Sequence, residues 1–133
     1  MTMTIPGRRI SYGETFYTDW IPRGGDCAIL RAQVLMKNAS GGSVRISLET
    51  RSEEGTSANP IDTYYPSSAP KLLELSGVVV GAAIYLPTKD TSSPLRGFQE
   101  QVRAKVTVNG GSAGDYWVVR LFPPIFFDNS IEA

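Results

Sequence analysis

The sequence predicts an all-β domain built as a two-sheet β-sandwich of about eight strands, jelly-roll or immunoglobulin-like in type. Three observations carry this prediction. Thirteen glycines and nine prolines cut the 133 residues into short pieces, and most of those pieces alternate or are β-branched instead of repeating every three to four residues. Residues 27–37, 43–51 and 99–109 alternate apolar and polar side chains with the two-residue period of a strand buried on one face. No helical segments alternate with the strands, so folds built on a parallel sheet do not fit.

Taken in order, residues 8–12 and 15–21 are the first strand signals, closed by Pro22 and the Gly24–Gly25 pair. In 27–37, Ala28, Leu30, Ala32, Val34 and Met36 share the face expected to be core, while Arg31, Gln33 and Lys37 share the other. Residues 38–42 have the composition of a hairpin loop, and 43–51 follow with Val44, Ile46 and Leu48 inward and Arg45, Ser47, Glu49 and Arg51 outward. Residues 52–60 read as an exposed polar loop, and 61–65, confined by Pro60 and Pro66, as a short edge strand.

Residues 72–75 and 78–86 read as one bent strand or two short ones around Ser76–Gly77, and Gly81, Ala82 and Ala83 suggest a bulge or a close backbone approach. Leu95, Phe98 and Val102 have helical spacing, but Pro94 and Gly97 reduce this to a single turn before the strand at 99–109. There Val102, Ala104, Val106 and Val108 face inward and Arg103, Lys105 and Thr107 outward. A glycine-rich turn at 110–114 leads back into 116–122, with Trp117, Val119 and Leu121 on the core phase and Arg120 on the other. Ile46, Val106 and Trp117 are therefore expected in the core.

Residues 1–133 are expected to form a single domain, with 122–133 as an extended docking tail. Lys plus Arg and Asp plus Glu are thirteen each, so bulk charge does not favour nucleic acid as the main partner. Histidine is absent, which removes the commonest general base, the usual nucleophile–base pairs and most zinc sites. Cys27 is the single cysteine and cannot form an internal disulfide; a nearby Arg23 or Arg31 would have to activate it, and a small space-filling role is expected instead. The first nine residues hold no signal-like apolar stretch, and no run approaches the roughly 20 apolar residues of a membrane helix. Synthesis in the cytoplasm and no membrane partner are the expectations.

Acid–base chemistry without histidine would need paired carboxylates among Glu49, Glu53, Glu54, Asp62 and Asp90, and a calcium site would draw on Asp19, Asp26, Asp90 or Asp128. No spacing ties either set to one place. No enzyme activity, cofactor or metal is expected. Arginine outnumbers lysine nine to four, and Arg31, Arg45, Arg103 and Arg120 fall on outward strand phases, where they would form a basic ladder if their strands shared a sheet. The stretch 122–127 sets Phe122, Phe126 and Phe127 around two prolines, a pattern that forbids a regular ladder and calls for a groove, on this chain or on a neighbour. Trp20, Tyr64 and Tyr65 are the candidate stacking platforms of an alternative, lectin-like reading.

The opening Thr18-Asp-Trp-Ile21, the Gly24–Gly25 pause, the strand at 27–37, a glycine turn and Val44-Arg-Ile-Ser-Leu-Glu-Thr-Arg51 together resemble small β-sandwich structural proteins of tailed phages. Residues 102–108 and 117–121 extend the likeness loosely toward the C-terminus. The resemblance implies a structural or interaction protein of a phage or virus-like particle, such as a capsid decoration, minor capsid or tail component, located in the virion. Its implied partners are protein subunits, as a homo-oligomer or with other virion proteins, and it supplies no catalytic residues. A carbohydrate-binding module is the alternative.

Overall fold

The computed structural model describes residues 2–25, 27–51, 59–60, 72–87 and 101–127. They form two antiparallel sheets with no helix among them. The strands are β1 (Ile5–Ser11), β2 (Thr15–Tyr17), β3 (Ile21–Pro22), β4 (Cys27–Asn38), β5 (Ser43–Arg51), β6 (Asn59–Pro60), β7 (Leu72–Leu75), β8 (Val79–Pro87), β9 (Gln101–Asn109), β10 (Tyr116–Leu121) and β11 (Ile125–Phe127).

These eleven strands lie on eight lines. Val106 pairs with Phe16 of β2 and with Ile46 of β5, while Val102 pairs with Ile21 of β3 and with Thr50 of β5, so β2 and β3 share one edge of β9. By the same reasoning β6 and β7 share one edge of β5. Ile29 pairs with Ile125 and Tyr85, and Val34 with Val119 and Val79, which places β10 and β11 end to end opposite β8. Sheet one is thus β1, β10/β11, β4, β8. Sheet two is β2/β3, β9, β5, β6/β7.

Among the described strands, only β5 and the β6/β7 line are successive neighbours in one sheet; every other step between them crosses from one sheet to the other. This alternation is the jelly-roll arrangement of two packed Greek keys, and it excludes the immunoglobulin-like option. It also corrects one turn and specifies another. The loop at 38–42 is not a hairpin, because β4 pairs in sheet one and β5 in sheet two, and the glycine-rich turn at 110–114 likewise crosses from β9 to β10. The two arches pack on one another: a Cβ on Gly42, whose φ is 85°, would lie 3.0 Å from both the Asn109 carbonyl and the Gly111 nitrogen. Glycine-rich composition marks a reversal of direction but does not say whether the returning strand pairs or packs.

The core is the layer between the sheets. Ile10, Leu30, Ile46, Leu48, Trp117 and Leu121 are completely buried there, together with Val102, Ala104 and Val106. Ile46, Val106 and Trp117 stand where alternation predicted. Met36 does not. Val118 pairs with Met36 and Val119 with Val34, so Leu35 is an extra residue, and this bulge leaves both Leu35 and Met36 about half exposed. A second irregularity lies where one was expected: Ala32 pairs with Ala82 and Val34 with Val79, so β8 carries one extra residue at Val80–Gly81, and Gly81 faces open space with nothing within 4 Å of a Cβ.

Met3, ahead of β1, is a core residue that no pattern flagged. It is held by reciprocal bonds from the Thr2 amide to Asp19 Oδ2 (3.1 Å) and from the Asp19 amide to the Thr2 carbonyl (3.3 Å). β1 starts earlier than residue 8 because it is an edge strand, which tolerates Pro6 and an irregular register between Ile5 and Arg8. The expected edge strand at 61–65 and the helical turn at 95–98 lie outside the described residues. The 122–127 segment breaks at its prolines and then resumes its ladder on β4 of the same chain, Phe126 opposite Ala28 and Phe127 opposite Cys27.

Candidate functional site

The two sheets present very different outer faces. On sheet two the outward arginines are bonded locally. Arg103 donates from Nε and Nη2 to Oε1 of its cross-strand partner Glu49 (2.8 and 2.7 Å), and Arg45 Nε donates to Glu74 Oε2 at 2.7 Å. Arg51 Nε donates to Gln101 Oε1 at 2.7 Å. The aromatics complete the zipper, with the Arg103 guanidinium 4.0 Å from the Tyr17 ring centroid and 4.5 Å from that of Trp20, and Arg51 4.3 Å from Trp20. Trp20 is thus already stacked by two arginines and does not offer the bare ring that a sugar platform requires. Tyr64 and Tyr65 lie outside the described residues.

Ser43 Oγ and Arg45 both donate to Glu74, and these bonds hold its carboxyl below the ordinary value of 4.5. A lowered folded-state value means that Glu74 stabilises the fold fully above that ordinary value, and the contribution is lost as pH falls through the lowered one. Glu74→Gln is expected to flatten the acid side of the stability profile below pH 4.5 relative to wild type. Urea midpoints measured across that range check it; parallel profiles would contradict it.

Sheet one is different. Phe122 donates its amide to the Arg31 carbonyl (3.0 Å), and its ring receives Arg31 at 5.2 Å and Arg120 at 4.7 Å. Arg9 lies 4.0 Å from the Tyr116 ring centroid on the same face. Among the described residues no carboxylate forms an ion pair with Arg9, Arg31 or Arg120. Beside this cluster, the missing side chain of Gly81 and the short one of Ala83 open a hollow of about 290 Å³, walled by Arg31, Gln33 and Phe122. Leu35 and Met36 add exposed apolar surface on β4.

The expected single arginine ladder is therefore split. Arg31 and Arg120 gather with Phe122 on sheet one, whereas Arg45 and Arg103 lie on the opposite side of the sandwich because the arch at 38–42 puts β4 and β5 in different sheets. Phe126 and Phe127 stand apart from both, on β11. Phe126 packs on the core, covers Gly24 and lines a second groove of about 550 Å³ with Met3, Ile21 and Pro124. Arg9, Tyr116 and Leu35 were not singled out from the sequence; Arg9 and Tyr116 become neighbours only through the β1–β10 pairing. Among the described residues no three of Cys, Asp and Glu gather closely enough to hold a metal ion.

A comparison of the chain with protein-family models, curated proteins and solved structures finds no match. The likeness to phage β-sandwich proteins rests on the quoted residues alone. What the fold and the site define together is a jelly-roll sandwich with one face whose arginines are bonded internally and one face whose arginines, among the described residues, meet no carboxylate.

Proposed function

We propose that this protein is a non-enzymatic structural or interaction protein of a phage or virus-like particle, a capsid decoration, minor capsid or tail component, that binds protein subunits through the outer face of sheet one. The observation that carries the proposal is the convergence of Arg31 and Arg120 on Phe122 without a carboxylate. Stacking on the ring restrains both guanidinium planes while leaving their in-plane N–H donors for another molecule. Arginines ordered in this way lose less freedom on binding, and with neighbouring apolar surface they make the kind of anchor that dominates protein interfaces. The jelly roll supports the reading at the level of the fold, since capsid and lectin domains both use it; the site must decide between them. Trp20, covered by Arg51 and Arg103, weighs against the lectin.

Analytical ultracentrifugation of the full-length protein, run beside a glycan-array screen, tests the proposal. Self-association without glycan retention is expected. Saturable glycan binding abolished by Trp20→Ala would overturn it in favour of the carbohydrate-binding reading.

A further inference from the structure

The strands of sheet one contain no acidic residue. β1, β4 and β10 carry Arg8, Arg9, Arg31, Lys37 and Arg120, while β8 and β11 carry no charged side chain. Two of these cations are engaged within the chain: Arg8 donates to Glu14 Oε2 (2.6 Å) and Lys37 to the Ser76 carbonyl (3.3 Å). Arg9, Arg31 and Arg120 stay exposed on the outer face, and the strand register sets them on one diagonal. Arg9 pairs with Val118, two residues before Arg120, and Arg120 pairs with Gln33, two residues after Arg31. Each step is a diagonal between adjacent antiparallel strands, about 7–8 Å long. Alternate side chains of an extended segment project to one side at nearly the same repeat, about 7 Å.

We infer that this diagonal of arginines receives an acidic segment of a partner protein, extended and with carboxylates at alternate positions. The inference rests on the interaction reading above and names the partner's chemistry. Charge complementarity carries it, since three exposed cations cross a sheet whose strands hold no acid. The hollow of about 290 Å³ beside Arg31 and Phe122 leaves room for a carboxylate to reach Arg31 without displacing a side chain. Arginine forks onto carboxylates through in-plane donors that stacking on Phe122 leaves available. The described framework of a second copy does not supply the carboxylates, because all five of its own are bonded. Glu14 meets Arg8, Glu49 meets Arg103, Glu74 meets Ser43 and Arg45, Asp19 accepts from the Thr2 amide, and Asp115 accepts from the Ser112 amide. A net charge of zero over the whole chain provides no long-range attraction for a nucleic acid, which favours a short acidic segment as the occupant.

The test is isothermal titration calorimetry of the full-length protein with a capped peptide that alternates Glu and Ser, beside its Gln–Ser counterpart. The acidic peptide is expected to bind at about 50 mM salt, to weaken at about 500 mM, and to bind at least about 30-fold more tightly than the neutral one. R31E/R120E should weaken its binding by about 100-fold and Arg9→Glu by about tenfold, whereas R45Q, on the opposite sheet, should leave it within about twofold of wild type. Circular dichroism and the urea midpoint of each variant separate a lost contact from a lost fold. Equal binding of the two peptides, or acidic-peptide binding that ignores R31E/R120E, overturns the inference. Tighter binding of a model DNA duplex than of the peptide, through Arg31 and Arg120, overturns it as well. Absence of peptide binding at about 1 mM also overturns it; a wild type that nevertheless self-associates then leaves the interaction reading standing with a different occupant. Glycan binding, by contrast, removes the interaction reading itself.

Discussion

Trp117→Ala is expected to lower folding stability by about 3–5 kcal/mol, the range for deleting a large aromatic from a closed core. Trp117 is completely buried, the largest of the fully buried side chains, and sits in the middle of the β1–β10–β4 ladder, opposite Ile10 on one side and Lys37 on the other. The cavity would be shared by both sheets, and the surrounding β-branched side chains have few rotamers with which to refill it. Among the described residues no protein group accepts a hydrogen bond from the indole Nε1, so Trp117→Phe should lose area without losing a bond to the protein and cost clearly less than the alanine variant. Urea denaturation of the three proteins checks both statements. Equal midpoints for wild type and Trp117→Ala would show that the sheets do not close on this residue.

The second large effect is expected at Gly25. A Cβ there would lie 2.6 Å from the Phe127 carbonyl oxygen, 2.7 Å from its carbonyl carbon and 2.9 Å from its nitrogen. These are backbone atoms of β11 and cannot rotate away. Gly25→Ala should therefore push β11 off β4 and cost about 1–3 kcal/mol, as overpacking does elsewhere. Gly24→Ala would meet the Phe126 side chain, its Cβ included, at 3.0 Å, a looser approach than at Gly25, and should cost less; Gly81→Ala meets nothing within 4 Å and serves as the neutral control. Amide exchange at Phe127 separates local displacement from global loss. A Gly25→Ala protein with wild-type midpoint and wild-type protection at Phe127 would contradict the packing of the chain end described here.

The Gly24–Gly25 pair shows how far the sequence could be read. It marks the end of a strand in composition, but its steric purpose appears only once residues 125–127 return to lie beneath it. Alternation predicts the buried faces of β5, β9 and β10 correctly because nothing interrupts their period. It fails in β4 at Leu35, where one inserted residue reverses the phase and turns Met36 outward. The eight-line sandwich was legible from turn spacing, whereas the arches were not, since a glycine turn has one composition whether its strands pair or pack. The arginine site suffered from the same gap. Phase places Arg31, Arg45, Arg103 and Arg120 outward, and only sheet order shows that two of them face one way and two the other.

The most direct measurement of the central claim, that one face is internally paired and the other open to a partner, is arginine-selective labelling with phenylglyoxal. Modification of each site is read by mass spectrometry at several protein concentrations. Arg103, bonded to Glu49 and stacked on Tyr17 and Trp20, should label slowly at every concentration. Arg31 and Arg120 should label quickly in dilute protein and become protected as the concentration rises, in step with self-association. Rapid labelling of Arg31 and Arg120 at every concentration, or rates for these two that match Arg103 in the dilute protein, would contradict the account.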